Sequence, residues 1–185
     1  MTALRVVPVT LGAARAFVER HHSHHHAPVG GLLACAVADG ERLCCVAILS
    51  RPVARMLDAR GDVAEVTRVA TDRTSGAALL RLRALASAAL RLGWARLVSY
   101  TILGESGGLY RQAGWRITGL VEASQGWHSR DARTTTQGGA KVRWEYGPGA
   151  LPADGAAALV AGFAVGRVDV PARPESLPLL AGVTP

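Results

Sequence analysis

Five of the six histidines in this 185-residue chain fall in one stretch, ERHHSHHHAPVG, residues 19–30. They are His21, His22, His24, His25 and His26. If a helix runs through them, His21 and His25 share one face, and so do His22 and His26. That spacing lets two imidazoles hold one metal ion, iron or zinc, with His22 and His26 as the candidate pair. Glu19, Glu65 or His128 could complete such a site. Neutral imidazoles also take a proton from an amine, and charged ones hold a phosphate or carboxylate. A third option is no chemistry at all, because partial positive charge is favourable at any helix C-terminus.

A second locus is DRTSGAALL, residues 72–80, where Arg73, Gly76 and Ala78 have the spacing R-x-x-G-x-A. A glycine there lets the backbone turn tightly and approach a ligand without a Cβ. The helix that follows offers unpaired N–H groups and a positive dipole end to a pyrophosphate. Thr74 and Ser75 can add hydroxyl donors. The plain alternative is a helix cap with Thr74 or Ser75 as capping residue. A third locus is SQGWHSRDARTTTQGGA, residues 124–140, which holds Trp127, His128, Arg130 and Arg133. An aromatic among arginines suits stacking on a base and holding phosphates; it equally suits a solvated loop. Cys35, Cys44 and Cys45 have no CxxC spacing and read as small buried hydrophobes.

These residues need elements to position them. Thr10 can cap a helix from about Leu11 into the histidines, with Leu11, Ala14, Phe17 and Val18 on its apolar stripe. Ala27-Pro28 and the glycines after it should end that helix. LLACAVA and RLCCVAILSRPV read as strands joined by an Asp39-Gly40 hairpin turn. DVAEVTRVATD is a third strand. AALLRLRALASAALRLG is an amphipathic helix with Leu79, Leu82, Leu85, Ala89 and Leu92 near one face and Arg81, Arg83 and Arg91 over the rest. ARLVSYTI is a strand, ESGGLYRQAG a short helix, and WRITGLVEA and KVRWEYG the closing strands. The order predicts an α/β fold with one crossover and mixed pairing. Residues 1–146 form the domain. Residues 147–185 are an Ala/Gly/Pro-rich tail, partly disordered or packed on the domain, with one short helix over Asp154–Phe163.

Composition bounds the function. The apolar fraction of 49% supports a buried core. The longest apolar runs are too short to cross a membrane and the N-terminus lacks a signal-peptide pattern, so a cytoplasmic protein is expected. The formal charge is +7 and Lys141 is the only lysine among the basic residues. Such a chain attracts phosphates, from nucleic acid or from a nucleotide-bearing cofactor. The apolar tail could also cover a homodimer interface.

Strand, R-x-x-G-x-A, long helix, strand and GLYRQAGWR together resemble the core of the GNAT acyltransferases. The pattern is completed by Leu109, Tyr110, Gly114 and Trp115, and the resemblance covers about residues 1–146. It implies a mixed, mostly antiparallel central sheet flanked by helices, and transfer of an acyl group from acetyl-CoA or another acyl-CoA to an amine. It places the pantetheine arm on Val69, Ala70 and Thr71. The pyrophosphate falls on Arg73, Ser75, Gly76, Ala77 and Ala78. It makes Glu65 a general base and Tyr110 the donor of a proton to the leaving thiolate. For Glu65 the alternative is a structural carboxylate paired with an arginine, such as Arg68 on a neighbouring strand. For Tyr110 it is a packing role. The end of the first helix should line the acceptor side, with at least two histidine rings facing the cleft of Glu65 and Tyr110.

LVSYTILGESGGLYRQAGWRITG is similar to the matching region of the phage Mom proteins, a GNAT-like branch that modifies adenine in DNA. Small GNAT-like proteins of phages and mobile elements carry a similar His-rich helix end. This resemblance implies a DNA base as acceptor, with Tyr100, Trp127 and Arg130 on the substrate side. A non-catalytic binding module that keeps the fold is a third reading, and it requires that the notch between the third strand and ARLVSYTI be filled.

Overall fold

The computed structural model describes residues 3–22, 26–121 and 140–150. The elements run β1 (Leu4–Pro8), α1 (Leu11–His21), β2 (Leu33–Asp39), β3 (Arg42–Ser50), α2 (Arg55–Asp58), β4 (Val63–Thr71), α3 (Ala77–Arg91), β5 (Arg96–Ile102), α4 (Gly108–Gln112), β6 (Arg116–Val121) and β7 (Lys141–Tyr146). One seven-stranded sheet has the order β1-β2-β3-β4-β5-β7-β6. Every described neighbouring pair is antiparallel except β4 with β5, which α3 joins as a crossover. This is the expected mixed, mostly antiparallel sheet flanked by helices. Gly147–Ala150, where the tail begins, turn back toward the domain, and Gly149 N–H donates to the Ala95 carbonyl. The proposed tail helix lies outside the described residues. None of the described helices is long and apolar enough to cross a membrane.

Two helices cover opposite faces of the sheet. Ala14, Phe17 and Val18 of α1 pack with Ala34, Ala36, Val46, Ile48 and Ala70. On the other face, Leu82, Leu85, Ala86 and Ala89 of α3 meet Leu49, Ala64, Val66, Leu97 and the Tyr110–Trp115–Trp144 aromatics. Thr10 caps α1 as expected, accepting from Ala13 N–H at 3.2 Å.

Several expectations are corrected. The LRVVP stretch forms β1, an edge strand that its closing proline disguises in the sequence. The RLCCVAILSRPV strand stops at Ser50, because Pro52 has no N–H to give a ladder. Leu92 is exposed, at the end of α3. Arg81, expected on the solvent side, is wholly buried. It sits four residues from both Ala77 and Leu85, on the stripe that faces the sheet. Its Nε donates to Cys45 Sγ at 3.1 Å, and Nη1 and Nη2 have no hydrogen-bond partner among the described residues. Cys44 and Cys45 are buried free thiols and Cys35 is half-buried.

A buried guanidinium without an acid partner costs stability, about 1–3 kcal/mol for each unmet polar group. Arg81→Met keeps the stem and removes the charge. We expect its urea midpoint to rise with an unchanged slope; a fall would show that Arg81 has a partner that stabilises it.

Candidate active site

β4 and β5 are hydrogen-bonded over three pairs only, Val63↔Arg96, Ala64↔Leu97 and Glu65↔Val98. Beyond Glu65 both strands continue but no longer pair. The cause lies on the other edge of β4. The register with β3 shifts between Ile48 and Leu49, so Thr67 is an extra residue and β4 bends. A cleft of about 320 Å³ opens where the strands part. Glu65, Tyr100, Tyr110, His22, Arg68 and Lys141 are among its lining residues.

The bulge also decides which side chains share a face. Ala64 and Val66 point to the α3 side, so Glu65 points to the α1 side. Plain alternation would send Arg68 to the α3 side. The extra residue returns it to the α1 side, across from Ile48, where Ile48 packs under α1. Glu65 and Arg68 are therefore neighbours on one strand and one face, not on two strands as expected. They form no ion pair within 4 Å. Glu65 Oε2 instead accepts the Val53 N–H at 2.9 Å. Burial pushes the Glu65 carboxyl above the usual carboxylate range, against lesser pulls from that hydrogen bond, Lys141 and Arg68. Tyr100, opposite Arg143 on β7, is pushed up to about 12 by burial and by the negative charge of Glu65.

Tyr110 reaches the cleft from the α3 side. It is held between Trp144, stacked at 5.4 Å, and Trp115, edge-on at 5.4 Å. Its hydroxyl lies 2.7 Å from Ser99 Oγ, and Ser99 Oγ lies 2.9 Å from the Val66 carbonyl. A carbonyl only accepts, so the Ser99 hydroxyl donates to Val66 and Ser99 accepts the Tyr110 proton. Burial raises the Tyr110 phenol, and Ser99 partly offsets that. Ser99 thus ties the tyrosine to the point where the strands separate.

The β4–α3 loop is set by its own hydrogen bonds. Thr71 Oγ1 accepts Arg73 N–H at 3.0 Å, and Asp72 Oδ1 accepts Thr74 N–H at 2.9 Å. Arg73 and Gly76 both take positive φ, +73° and +76°. The residue preceding α3 is Gly76, and no side chain caps the helix. Neither Thr74 nor Ser75 is the cap that the plain alternative required. The first turn of α3 keeps its N–H groups unmet by side chains, and a Cβ on Gly76 would find only Leu4 Cδ1, at 4.0 Å. An open helix start of this kind fits a pyrophosphate. Val69 lines the cleft, while Ala70 is buried under α1.

The histidine expectation needs the largest correction. α1 ends at His21, and His22 is already extended, with φ −92° and ψ 118°. No helical face carries His22 and His26 together, so the spacing argument for a metal fails. Glu19 stops the helix by drawing the chain back over its end, accepting Ala27 N–H at 2.7 Å and His26 Nδ1–H at 3.0 Å. Arg68 Nε fixes the same turn, donating to the His26 carbonyl at 2.9 Å. His22 lines the cleft, whereas His21 lies against Phe17 at 4.3 Å and His26 faces Glu19. His24, His25, Trp127, His128, Arg130 and Arg133 lie outside the described residues. Among the described residues no group of three or more His, Cys, Asp or Glu could hold a metal ion.

Sequence reasoning gave no role to Ser99, Lys141 or Arg143. One signal was available. KVRWEY alternates strictly, so Lys141, Arg143 and Glu145 share a face while Val142 and Trp144 enter the core.

No protein-family model and no curated protein sequence matches this chain. Solved structures do match its fold. The ribosomal-protein-S18-alanine N-acetyltransferase of Escherichia coli superposes with a TM-score of 0.58 at 14% identity, covering 81% of this chain and 97% of that one. The IAA acetyltransferase of Bacillus cereus gives 0.59 at 15% identity, covering 77% and 98%. An acetyltransferase of Bacillus subtilis in complex with CoA gives 0.55 at 13% identity, covering 80% and 99%. The fold is GNAT-like; identity this low carries the architecture and not the reaction.

Gly107 precedes α4 at φ +58°, and a Cβ there would overlap the Trp144 ring at Cζ2. Trp144 is fully buried and cannot yield. Gly107→Ala combines this overlap with left-handed strain, and we expect a loss of about 3 kcal/mol or more. Tryptophan fluorescence should report displaced Trp144 packing; a variant as stable as wild type would refute the close approach.

Proposed function

We propose that the protein is an N-acyltransferase that moves an acyl group from an acyl-CoA, acetyl-CoA being the simplest, to an amine. One observation carries this reading: Glu65 and Tyr110 wall a single cleft from opposite faces of the sheet, where β4 and β5 part. The CoA and acetyltransferase descriptions of the similar structures support it. Arg73, Ser75 and the N–H groups at Gly76–Ala78 hold the pyrophosphate. The unpaired edge of β4 from Val69 to Thr71 holds the pantetheine arm.

When bound, acyl-CoA supplies a thioester carbonyl for the amine to attack. Glu65 accepts the proton that the amine sheds as the N–C bond forms, and burial, by raising its affinity for protons, makes it a stronger base than an exposed carboxylate. Tyr110 gives its phenolic proton to the sulfur as the C–S bond breaks. Ser99 can then turn its hydroxyl hydrogen from the Val66 carbonyl to the Tyr110 oxygen and hold the phenolate. The proton on Glu65 returns to Tyr110 through solvent. His22 and Tyr100 stand on the acceptor side.

A DNA-base acceptor draws on Trp127 and Arg130, both outside the described residues, and no feature of the described cleft favours it. A binding module needs a filled notch, and no described side chain fills this one. The homodimer reading rests on the tail, which is described only to Ala150.

Acetyl-CoA should raise the melting temperature of the apo protein. Gly76→Asp places a carboxylate where the pyrophosphate would lie and should abolish that shift. No shift in the wild-type protein with acetyl-CoA or longer acyl-CoAs would overturn the transferase reading.

Glu65→Gln should lower kcat/KM by about a hundredfold or more. Its stability effect has a definite sign. The folded-state carboxyl titrates above its ordinary value of 4.5, so the stability from this group is fullest below that value. It is lost as pH rises through the folded-state value. Glu65→Gln should therefore melt with the wild type at pH 4 and above it at pH 7. A variant that melts lower at pH 7 would show that the carboxylate is a structural anchor.

A further inference from the structure

Two cations that line the cleft, Lys141 and Arg68, are in no ion pair among the described residues. Lys141 lies across β5 from Ile102 and Arg143 across from Tyr100, on the same face as Glu65. Arg68 joins them through the bulge. Lys141 has no hydrogen-bond or ion-pair partner among the described residues. Arg68 spends its Nε and Nη1 on the His26 and Thr67 carbonyls, which carry no charge. This differs from Arg42, Arg51 and Arg60, each of which meets an aspartate. Glu145 is buried and shared by Arg143 and Arg96, and Asp62 adds a negative charge near Arg96. The Nε atoms of Arg96 and Arg143 are buried without a hydrogen-bond partner among the described residues.

Glu65 is the acid that acts on both cations; Glu105 also lines the cleft, where it accepts the Ile102 N–H, and Glu19 lies near Arg68. Once Glu65 takes a proton from the acceptor it is neutral, and Lys141 and Arg68 lose one of the charges that offset them. That outcome opposes the proton transfer unless the acceptor itself brings a negative group.

We propose that the acceptor is a small amine that also bears an anionic group, carboxylate or phosphate. Lys141 and Arg68 hold the anion, and the amine faces Glu65. This rests on the transferase reading. A polyamine would be repelled by Lys141 and Arg68, and a neutral amine would give them no ion-pair partner.

The test uses the full chain with acetyl-CoA and follows thiol release. Glycine is compared with glycinamide, 2-aminoethyl phosphate with ethanolamine, and spermidine serves as the cationic amine. The first two pairs separate carboxylate from phosphate. At least one anionic member should exceed its neutral partner tenfold or more in kcat/KM. Lys141→Gln should cost that amine at least tenfold more than it costs the neutral partner, mainly in KM, and be rescued by Lys141→Arg. Thermal shifts of the CoA-saturated protein with each amine give a second readout that does not depend on turnover. Equal or better use of neutral amines or spermidine overturns the proposal. So does a Lys141→Gln loss of equal size for anionic and neutral amines, or silence of every anionic amine in both readouts while acetyl-CoA still binds. Failure of acetyl-CoA itself to shift the melting temperature is a different result: it removes the transferase reading beneath.

Discussion

The site depends on the place where β4 stops pairing with β5. Three parallel pairs hold the strands together, and then a single extra residue bends β4 away. Left open, that fork would expose backbone groups that a central sheet normally satisfies. Ser99 spans the vertex by donating to the Val66 carbonyl, and it anchors Tyr110 in the same stroke. The fork therefore joins the two faces of the sheet. Tyr110 and Ser99 stand on the α3 side, and Glu65, Tyr100, Arg68 and Lys141 on the α1 side. No described helix delivers both Glu65 and Tyr110; the gap in the sheet brings them together.

Much of this was legible because it follows from local rules. Strand alternation, the Asp39-Gly40 turn, the Thr10 cap and the period of α3 place the main elements within a few residues of where they lie. The R-x-x-G-x-A run falls at the start of α3, which no side chain caps, and Glu65 and Tyr110 line one cleft. What was not legible is non-local. The bulge at Thr67 leaves no turn residue or glycine to betray it, yet it decides that Glu65 and Arg68 share a face. The end of α1 is set by Glu19 and by Arg68 on another element, neither of which a helix-propensity argument weighs. Five histidines within residues 21–26 invited a metal site, but the end of α1 that separates His22 from His26 is not written in their spacing. Arg81 shows a different failure: its place on the stripe was readable from Ala77 and Leu85, and its charge argued wrongly for solvent.

Charge burial follows one pattern across the molecule. Arg81, Arg96 and Arg143 all lie inside, and Glu145 is the acid that meets the last two. Guanidinium is more weakly hydrated than ammonium and has donors in several directions, so it tolerates such places better than lysine would. Against that background Lys141 stands out. The chain uses arginine almost everywhere, yet at the mouth of the cleft it presents an ammonium on a flexible stem. A point charge that can follow a moving partner is what a small substrate needs, whereas a planar fork suits a fixed one.

The same electrostatics limit how the site can work. Desolvation raises Glu65 and would make it a strong base, while Arg68 and Lys141 pull the other way. A base held neutral by burial alone would already carry the proton it must accept. One held ionised by two cations would be too weak to take it. The balance tips only when something changes the charge beside it. An anionic acceptor would do so by occupying Lys141 and Arg68, raising the affinity of Glu65 for a proton at the moment the amine is in place. On this account the cations are not bystanders to the base. They couple its strength to the presence of the right substrate, and a cleft with Glu65 alone would lose that discrimination.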